Sequence, residues 1–174
     1  SNTPRPGYIY DTTDGVWYPI GVGAHSHDLS AYAVAAYGTL TAPVVISPEE
    51  RWTVAASAAG STVNFDADTQ GVLYYTSNSS ANWTLNVRGT SGSTLASKLA
   101  VGDSATISFL ATNSTAYYMT ALTIDGNAQT VKWSGGTAPS AGNANAIDVY
   151  QFTIIKTAAT PTYTVLGAGP IKYA

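Results

Sequence analysis

The two histidines of the chain, His25 and His27, lie one residue apart in the stretch GVGAHSHDLS. Alternate residues of an extended segment face the same side, and neutral imidazole is a common metal ligand. One chain supplies two such nitrogens, which is too few for a tight site, whereas three chains around an axis supply six. Six imidazoles form an octahedral set that suits iron or nickel more than tetrahedral zinc. The pair therefore predicts either a polar loop or a metal site shared by three chains.

A second stretch, DADTQG at residues 66–71, imitates the start of a calcium-binding loop. Such a loop needs a bidentate glutamate six residues after its glycine. Ser77 stands at that position, so one essential ligand is missing. The stretch therefore predicts a turn between strands.

Signatures of enzymes are absent from the sequence. It has no G-x-S-x-G elbow, no phosphate-binding loop and no H-E-x-x-H motif. Glycosidase chemistry needs two carboxylates across a cleft, and none of the ten acidic residues stands in a recognisable pair of that kind. We therefore expect no enzyme activity.

The composition limits the partners of the chain. Of its 174 residues 10 % are charged, the net charge is −3 and there is no cysteine. The absence of a basic stripe argues against nucleic-acid binding, and no apolar run approaches the roughly 20 residues that cross a bilayer. Threonine and tyrosine, both abundant here, suit a half-buried pleated surface. The composition favours a β protein that binds no nucleic acid and inserts into no membrane.

Two regions differ in pattern. Residues 1–46 resemble an arm, in which YIYDTTDGVWYPI predicts a hairpin with strands at 8–10 and 16–20 around a turn at 11–15. A two-stranded hairpin is marginal in water by itself. The arm is therefore expected to dock on its own domain or on neighbouring chains and to mediate oligomerisation.

Residues 47–174 predict a β domain. Short segments of strand type are separated by Gly, Asn, Asp, Ser and Pro; they are RWTVAAS, STVNF, VLYYT, WTLNVRG, SATISFLAT, YYMTALTID, QTVKW, IDVYQFTIIKT and TYTVLGA. Alternation places Trp83, Leu85 and Val87 on one face, and Tyr74 and Tyr75 on opposite faces. No internal repeat of 20–50 residues is visible. The expected fold is all-β, an antiparallel β-sandwich or jelly roll preceded by the arm.

The stretch GYIYDTTDGVWYPIGVGAHSHDLSAYA resembles the segment of phage tail-fibre and appendage proteins in which an aromatic hairpin leads into a histidine-x-histidine element. The segments from Arg51 to the end resemble the C-terminal domain of structural proteins of cyanophages and related tailed phages. The resemblance implies a homotrimeric virion appendage, such as a tail fibre, collar fibre or capsid fibre, located on the extracellular particle. Its partners would be other virion proteins and a host cell-surface glycan. The resemblance also implies a metal ion on the three-fold axis, bound by His25 and His27, with iron first and nickel or zinc as substitutes.

A different class of function remains open, namely a carbohydrate-binding module of a bacterial secreted protein. Tyrosine is a rigid, amphipathic contact residue, and an exposed ring from Tyr74 or Tyr75 suits a glycan, a partner or an oligomer interface equally well. Size in solution separates the two functions. A stable trimer supports the appendage, and a monomer with glycan affinity supports the module.

Overall fold

The computed structural model describes residues 51–174 and two short N-terminal strands, Tyr8–Tyr10 (β1) and Trp17–Pro19 (β2). These two strands pair antiparallel, with Ile9 opposite Tyr18, at the place where the sequence predicts a hairpin. The chain divides into two units, Ser1–Ile46 and Ser47–Ala174.

The regular secondary structure of residues 51–174 consists almost entirely of strands. They are β3 (Trp52–Ala58), β4 (Thr62–Asp66), β5 (Val72–Ser77), β6 (Trp83–Arg88), β7 (Ser104–Asn113), β8 (Met119–Ile124), β9 (Asn127–Gln129), β10 (Val131–Trp133), β11 (Ala146–Ala158) and β12 (Thr162–Tyr173). Each segment predicted as a strand overlaps one, and QTVKW contributes to two. The prediction of an all-β fold is confirmed.

The strands form two mixed sheets. The six-stranded sheet has the order β10-β12-β11-β7-β5-β3, and the four-stranded sheet has the order β4-β6-β8-β9. From β3 to β8 the chain alternates between the sheets, and each strand lies parallel to the strand two positions earlier. The first six strands of this unit therefore make three turns of a two-sheet coil, which β11 and β12 extend by antiparallel pairing.

The prediction of antiparallel pairing is wrong for much of the domain. Within residues 51–174, five of the eight strand pairings are parallel. A parallel pair needs a long crossover connection, which here runs through a strand of the opposite sheet. Alternation of apolar and polar residues indicates which face of a strand is buried. It does not indicate whether neighbouring strands run parallel or antiparallel. A jelly roll, which is antiparallel throughout, does not describe this pairing.

The core lies between the two sheets and draws residues from both. Trp83 of the four-stranded sheet contacts Phe109 and Tyr150 of the six-stranded sheet edge-on, with ring centroids 6.0 and 5.9 Å apart. Leu85 and Val87 are fully buried beside Trp83, so the predicted inward face of β6 is confirmed. Other core residues are Val63, Phe65, Leu73, Ile107, Leu122, Ile124, Phe152 and Ile154.

A one-turn 3-10 helix, Leu95–Ser97, interrupts the long connection from β6 to β7. Both carboxylate oxygens of Asp125 accept backbone N–H groups at its start, from Leu95 at 2.7 Å and from Ala96 at 3.0 Å. At its end the buried Lys156 donates from Nζ to the carbonyls of Ala96 and Leu99, both at 2.7 Å. The two charges thus stabilise opposite ends of one turn. No helix in the part of the chain that the structure describes is long and apolar enough to cross a membrane.

Candidate functional site

The predicted metal ligands His25 and His27 lie outside the described residues, so the structure does not place them. Among the residues that it does describe, no three His, Cys, Asp or Glu side chains come together as a metal site. The functional surface that the structure does present must be sought on the β unit.

The stretch 66–71 forms the predicted turn between strands, and its acidic side chains already have partners. Asp66 accepts from Arg88 Nε at 2.6 Å. Asp68 lies 2.9 Å from Lys98 Nζ and accepts from the hydroxyl of Ser93 at 3.3 Å. Cationic and hydroxyl groups thus contact both carboxylates that a calcium ion would have to bind. The interpretation of the stretch as a turn is confirmed.

The outer face of the four-stranded sheet is polar and internally hydrogen-bonded. Asn86 donates to the side-chain oxygen of Asn64 on one neighbouring strand and accepts from Thr123 on the other, each at 2.8 Å. The ion pair between Asp66 and Arg88 joins β4 to β6 one step further along. Side chains that hydrogen-bond to one another while in contact with water form a surface suited to solvent.

The outer face of the six-stranded sheet has the opposite character. The strand register places five apolar side chains in one row across β3, β5, β7, β11 and β12. These are Val54, Tyr74, Leu110, Val149 and Ile171. All five lie on the side away from the core, because their strand neighbours Leu73, Phe109 and Tyr150 are core residues. We call this surface, with the flanking residues of the same strands, the apolar outer face.

Exposure of large apolar side chains is concentrated on that face. Six large apolar residues of the described unit are exposed, and five of them point outward from the six-stranded sheet, with 39 to 61 % of their surface accessible. These five are Trp52, Val54, Leu166, Ile171 and Tyr173. The sixth, Val101, lies in a loop. Scattered exposed apolar residues are ordinary, but a contiguous patch marks an interaction surface.

A shallow groove of about 490 Å³ crosses the apolar outer face. Trp52 and Tyr173 border it, and its polar lining groups are the side chains of Ser108 and Gln151. The other lining residues are Val72, Leu110, Ile147 and Val149. No charged side chain lines the groove, so it offers a charged ligand no ion pair and suits a neutral one.

A second, polar groove of about 800 Å³ lies at the end of the sheet where β3 begins. Arg51, Thr53, Thr69 and Thr106 line it together with Asp68. The carboxylate of Asp68 is already engaged by Lys98 and Ser93. This groove presents hydroxyl groups and one guanidinium, without an aromatic ring on which a sugar could stack.

The tyrosine hydroxyls of the core remain protonated at neutral pH. Burial raises the pKa of Tyr150 far above its ordinary value, although the hydroxyl accepts a hydrogen bond from the Met119 N–H at 3.3 Å. Burial, with a smaller contribution from Asp66, raises the pKa of Tyr75. Burial and Asp125 raise the pKa of Tyr163 in the same way. These shifts oppose the formation of a phenolate and give none of the three rings the character of a general base.

The sequence had indicated part of this surface. Tyr74 and Tyr75 were predicted on opposite faces, and Tyr75 packs edge-on against Phe109 with centroids 5.5 Å apart while Tyr74 joins the outer row. The alternation within single strands does not reveal that this row is continuous across five strands. The signal was present in β11, where Ile147 and Val149 add apolar residues to the face opposite Tyr150. Apolar residues on both faces of a strand are typical of sheets that are covered on both sides.

Comparison of the chain with protein families, with curated proteins and with solved structures finds no match. The resemblance to phage appendage proteins therefore stays a prediction from the sequence.

Proposed function

We propose that this chain is a homotrimeric structural protein of a tailed-phage virion appendage, a tail fibre, collar fibre or capsid fibre, on the extracellular particle. One observation carries the proposal: the outer face of one sheet is hydrogen-bonded and polar, whereas that of the other is apolar and uncharged along its central row. A domain that lies alone in water has little reason to keep two such different faces. The contrast favours a protein whose purpose is assembly.

The finer architecture that we favour is a two-layer β-sandwich of mixed sheets. Its support is the shared core, in which the ring of Trp83 touches residues of the opposite sheet. Such a domain carries few charges, and a hydroxyl-rich surface suits a particle in a saline medium, where ion pairs are screened. These properties agree with a durable structural part.

The arm, residues 1–46, is proposed to hold the trimer. Within it His25 and His27 of three chains are proposed to bind one metal ion, iron first and nickel or zinc as substitutes, as the sequence resemblance implies. The ion would have a structural role. Other virion proteins, and a host cell-surface glycan, are the further partners of the proposed appendage; no nucleic acid, membrane insertion or enzyme activity belongs to the proposal.

The mass of the full chain in solution tests the proposal. Sedimentation equilibrium over a wide concentration range should give three chain masses, and deletion of residues 1–40 should weaken the trimer while the circular dichroism of the β domain persists. A full chain that sediments as a monomer at every concentration would refute the trimeric appendage. A truncated chain that is equally trimeric at low concentration would show that the arm does not hold the trimer.

The groove favours one second candidate, a carbohydrate-binding module. Exposed rings at Trp52 and Tyr173 border it, and Ser108 and Gln151 supply hydrogen-bonding groups between them. Aromatic rings and neutral polar groups together suit a neutral sugar. The two functions compete for the same face, because a trimer that buries it excludes the glycan.

Calorimetric titration with neutral oligosaccharides distinguishes the module from the appendage. The module predicts a monomer whose glycan affinity is lost in Trp52→Ala and retained in Val101→Ala, a matched exposed apolar site in a loop. Glycan affinity that is unchanged in Trp52→Ala would place any sugar site elsewhere on the chain.

A further inference from the structure

We infer that the apolar outer face is the surface through which the β domain packs against two further copies of itself around a three-fold axis. The inference rests on the proposed trimer and names the surface that the trimer buries. It assigns to residues 51–174 an interface of their own, in addition to the contacts of the arm.

Charge is the first reason to choose a copy of this chain as the occupant. The central row of the face, from Val54 to Ile171, and the groove beside it contain no charged side chain. A charge close to a three-fold axis faces the same charge on two other copies, whereas an uncharged apolar row at that place meets no such repulsion. The register places one charge on this side of the sheet, that of Lys132 opposite Leu166, and it lies on the edge strand β10, outside the row.

Shape and size are the second reason. A face of five strands with three outward residues on each measures roughly 25 Å by 20 Å, on the order of 500 Å². Specific interfaces bury about 800 Å² on each partner, so this face is smaller than a standard interface and the contacts proposed for the arm would supply the remaining area. A single sugar ring would cover only the groove and would leave most of the row from Val54 to Ile171 in water.

Symmetry decides how the copies meet. Three such faces close around a three-fold axis as the sides of a triangular prism, in which one edge of each face meets the other edge of the next. Trp52 lies on the edge strand β3, and Tyr173 lies on β12 toward the opposite edge of the sheet. In the prism the edge of one copy that carries Trp52 meets the edge of the next copy that carries Tyr173. The two large exposed rings thereby become buried at the junctions.

A pair of matched charge substitutions in the full chain tests the face. Val54→Glu introduces a carboxylate on the edge strand β3, where the side chain is 61 % exposed, so the fold of a single chain tolerates it. Thr62→Glu does the same on β4, the edge strand of the polar sheet, where the side chain is also exposed. Sedimentation should show the trimer association constant falling at least about a hundredfold for Val54→Glu, because an unpaired carboxylate is costly to bury, and staying within about twofold for Thr62→Glu.

Three results would overturn the inference while the trimer itself stands. One is an unchanged association constant in Val54→Glu. Another is an unchanged trimer whose melting temperature falls, which would indicate that residues 1–50 of the same chain cover the face. A third is an unchanged trimer that loses affinity for neutral oligosaccharide. A wild-type chain that is monomeric refutes the proposed function instead, and the inference with it.

Cross-linking tests the order of the copies, since the chain contains no cysteine of its own. The Trp52→Cys, Tyr173→Cys double variant should give covalent dimers and trimers with a short bismaleimide, and each single variant should stay uncross-linked. A dimer from Trp52→Cys alone would demonstrate two-fold contact and contradict the prism, as would a trimeric double variant that yields no covalent product.

Discussion

At the scale of single residues, the apolar side chains buried between the sheets favour the folded state. Leu85 is fully buried at the centre of β6 and faces the opposite sheet. Alternation with polar neighbours makes this orientation predictable from the sequence alone. The identity of its contacts was not predictable, because they come from strands that lie far away along the chain.

Leu85→Ala should lower the free energy of unfolding by about 2–5 kcal/mol, the cost of removing buried methyl groups and leaving a cavity. Val101→Ala, at an exposed loop site, should change it by less than about 0.5 kcal/mol. Urea titration of both variants measures the difference. A loss below about 1 kcal/mol for Leu85→Ala would contradict the packing of β6.

Ionisation of Tyr150 is expected to lower the stability of the domain at alkaline pH. Its pKa in the folded protein is raised above the ordinary value, chiefly by burial, so the folded state favours the neutral phenol. Stability from this group is complete below the unfolded pKa of about 10 and is lost as the pH rises above it.

The free energy of unfolding should therefore fall between pH 9 and pH 11 in the wild-type protein, and less steeply in Tyr150→Phe. At pH 7 the same variant should be less stable by about 1–3 kcal/mol, because the Met119 N–H loses its hydroxyl acceptor. Denaturant titration across this pH range measures both effects. An equal slope with pH in the two proteins would show that Tyr150 is not a source of the dependence.

At the scale of elements, the positions of the strands could be predicted but their pairing could not. Apolar alternation and turn residues marked every segment from RWTVAAS to TYTVLGA. Whether two strands pair parallel or antiparallel depends on the connection between them. The register aligns Trp52 with Val72 and Val72 with Ser108, and because these intervals along the chain are unequal, the pairing leaves no repeat in the sequence. The apolar outer face follows from that register, so it was not visible as a unit before the fold was known.

The loop between β10 and β11 shows how one buried charge holds an irregular element. Asp148, fully buried on β11, accepts from the Asn143 backbone N–H at 2.9 Å and from Asn143 Nδ2 at 2.7 Å. It also accepts from Asn113 Nδ2 at 2.9 Å. Three donors converge on one carboxylate, which places the loop against the end of the sheet.

Asp148→Asn should destabilise the protein by about 2–4 kcal/mol, because the amide nitrogen that replaces one oxygen faces N–H donors and cannot accept from them. Hydrogen exchange in residues 137–145 should speed up more than in the strands. Asp103→Asn, whose parent carboxylate accepts a hydrogen bond from the Ala100 N–H in an exposed turn, is the matched control and should cost under about 1 kcal/mol. Equal losses in both variants would mean that Asp148 does not hold the loop.

At the scale of the whole molecule, two kinds of contact are proposed to make the trimer. The apolar outer face is proposed to pack against copies of itself, and the arm with its histidine pair is proposed to hold the three chains together through a metal ion. A ligand that binds only the folded assembly stabilises it by mass action. Stability of the trimer should therefore depend on metal even where the β domain is unaffected.

Elemental analysis of the full chain should find about one transition-metal ion per three chains, the ratio that six imidazole ligands require. The His25→Ala, His27→Ala double variant should lose the ion and melt several degrees lower, as should the wild-type protein after treatment with a chelator. Asp68→Asn, in the turn that resembles a calcium loop, is the control and should keep the ion, since its carboxylate is paired with Lys98. A chelator that leaves the melting temperature of the wild-type trimer unchanged, together with a metal content near zero, would return His25 and His27 to the other interpretation of the sequence, a polar loop.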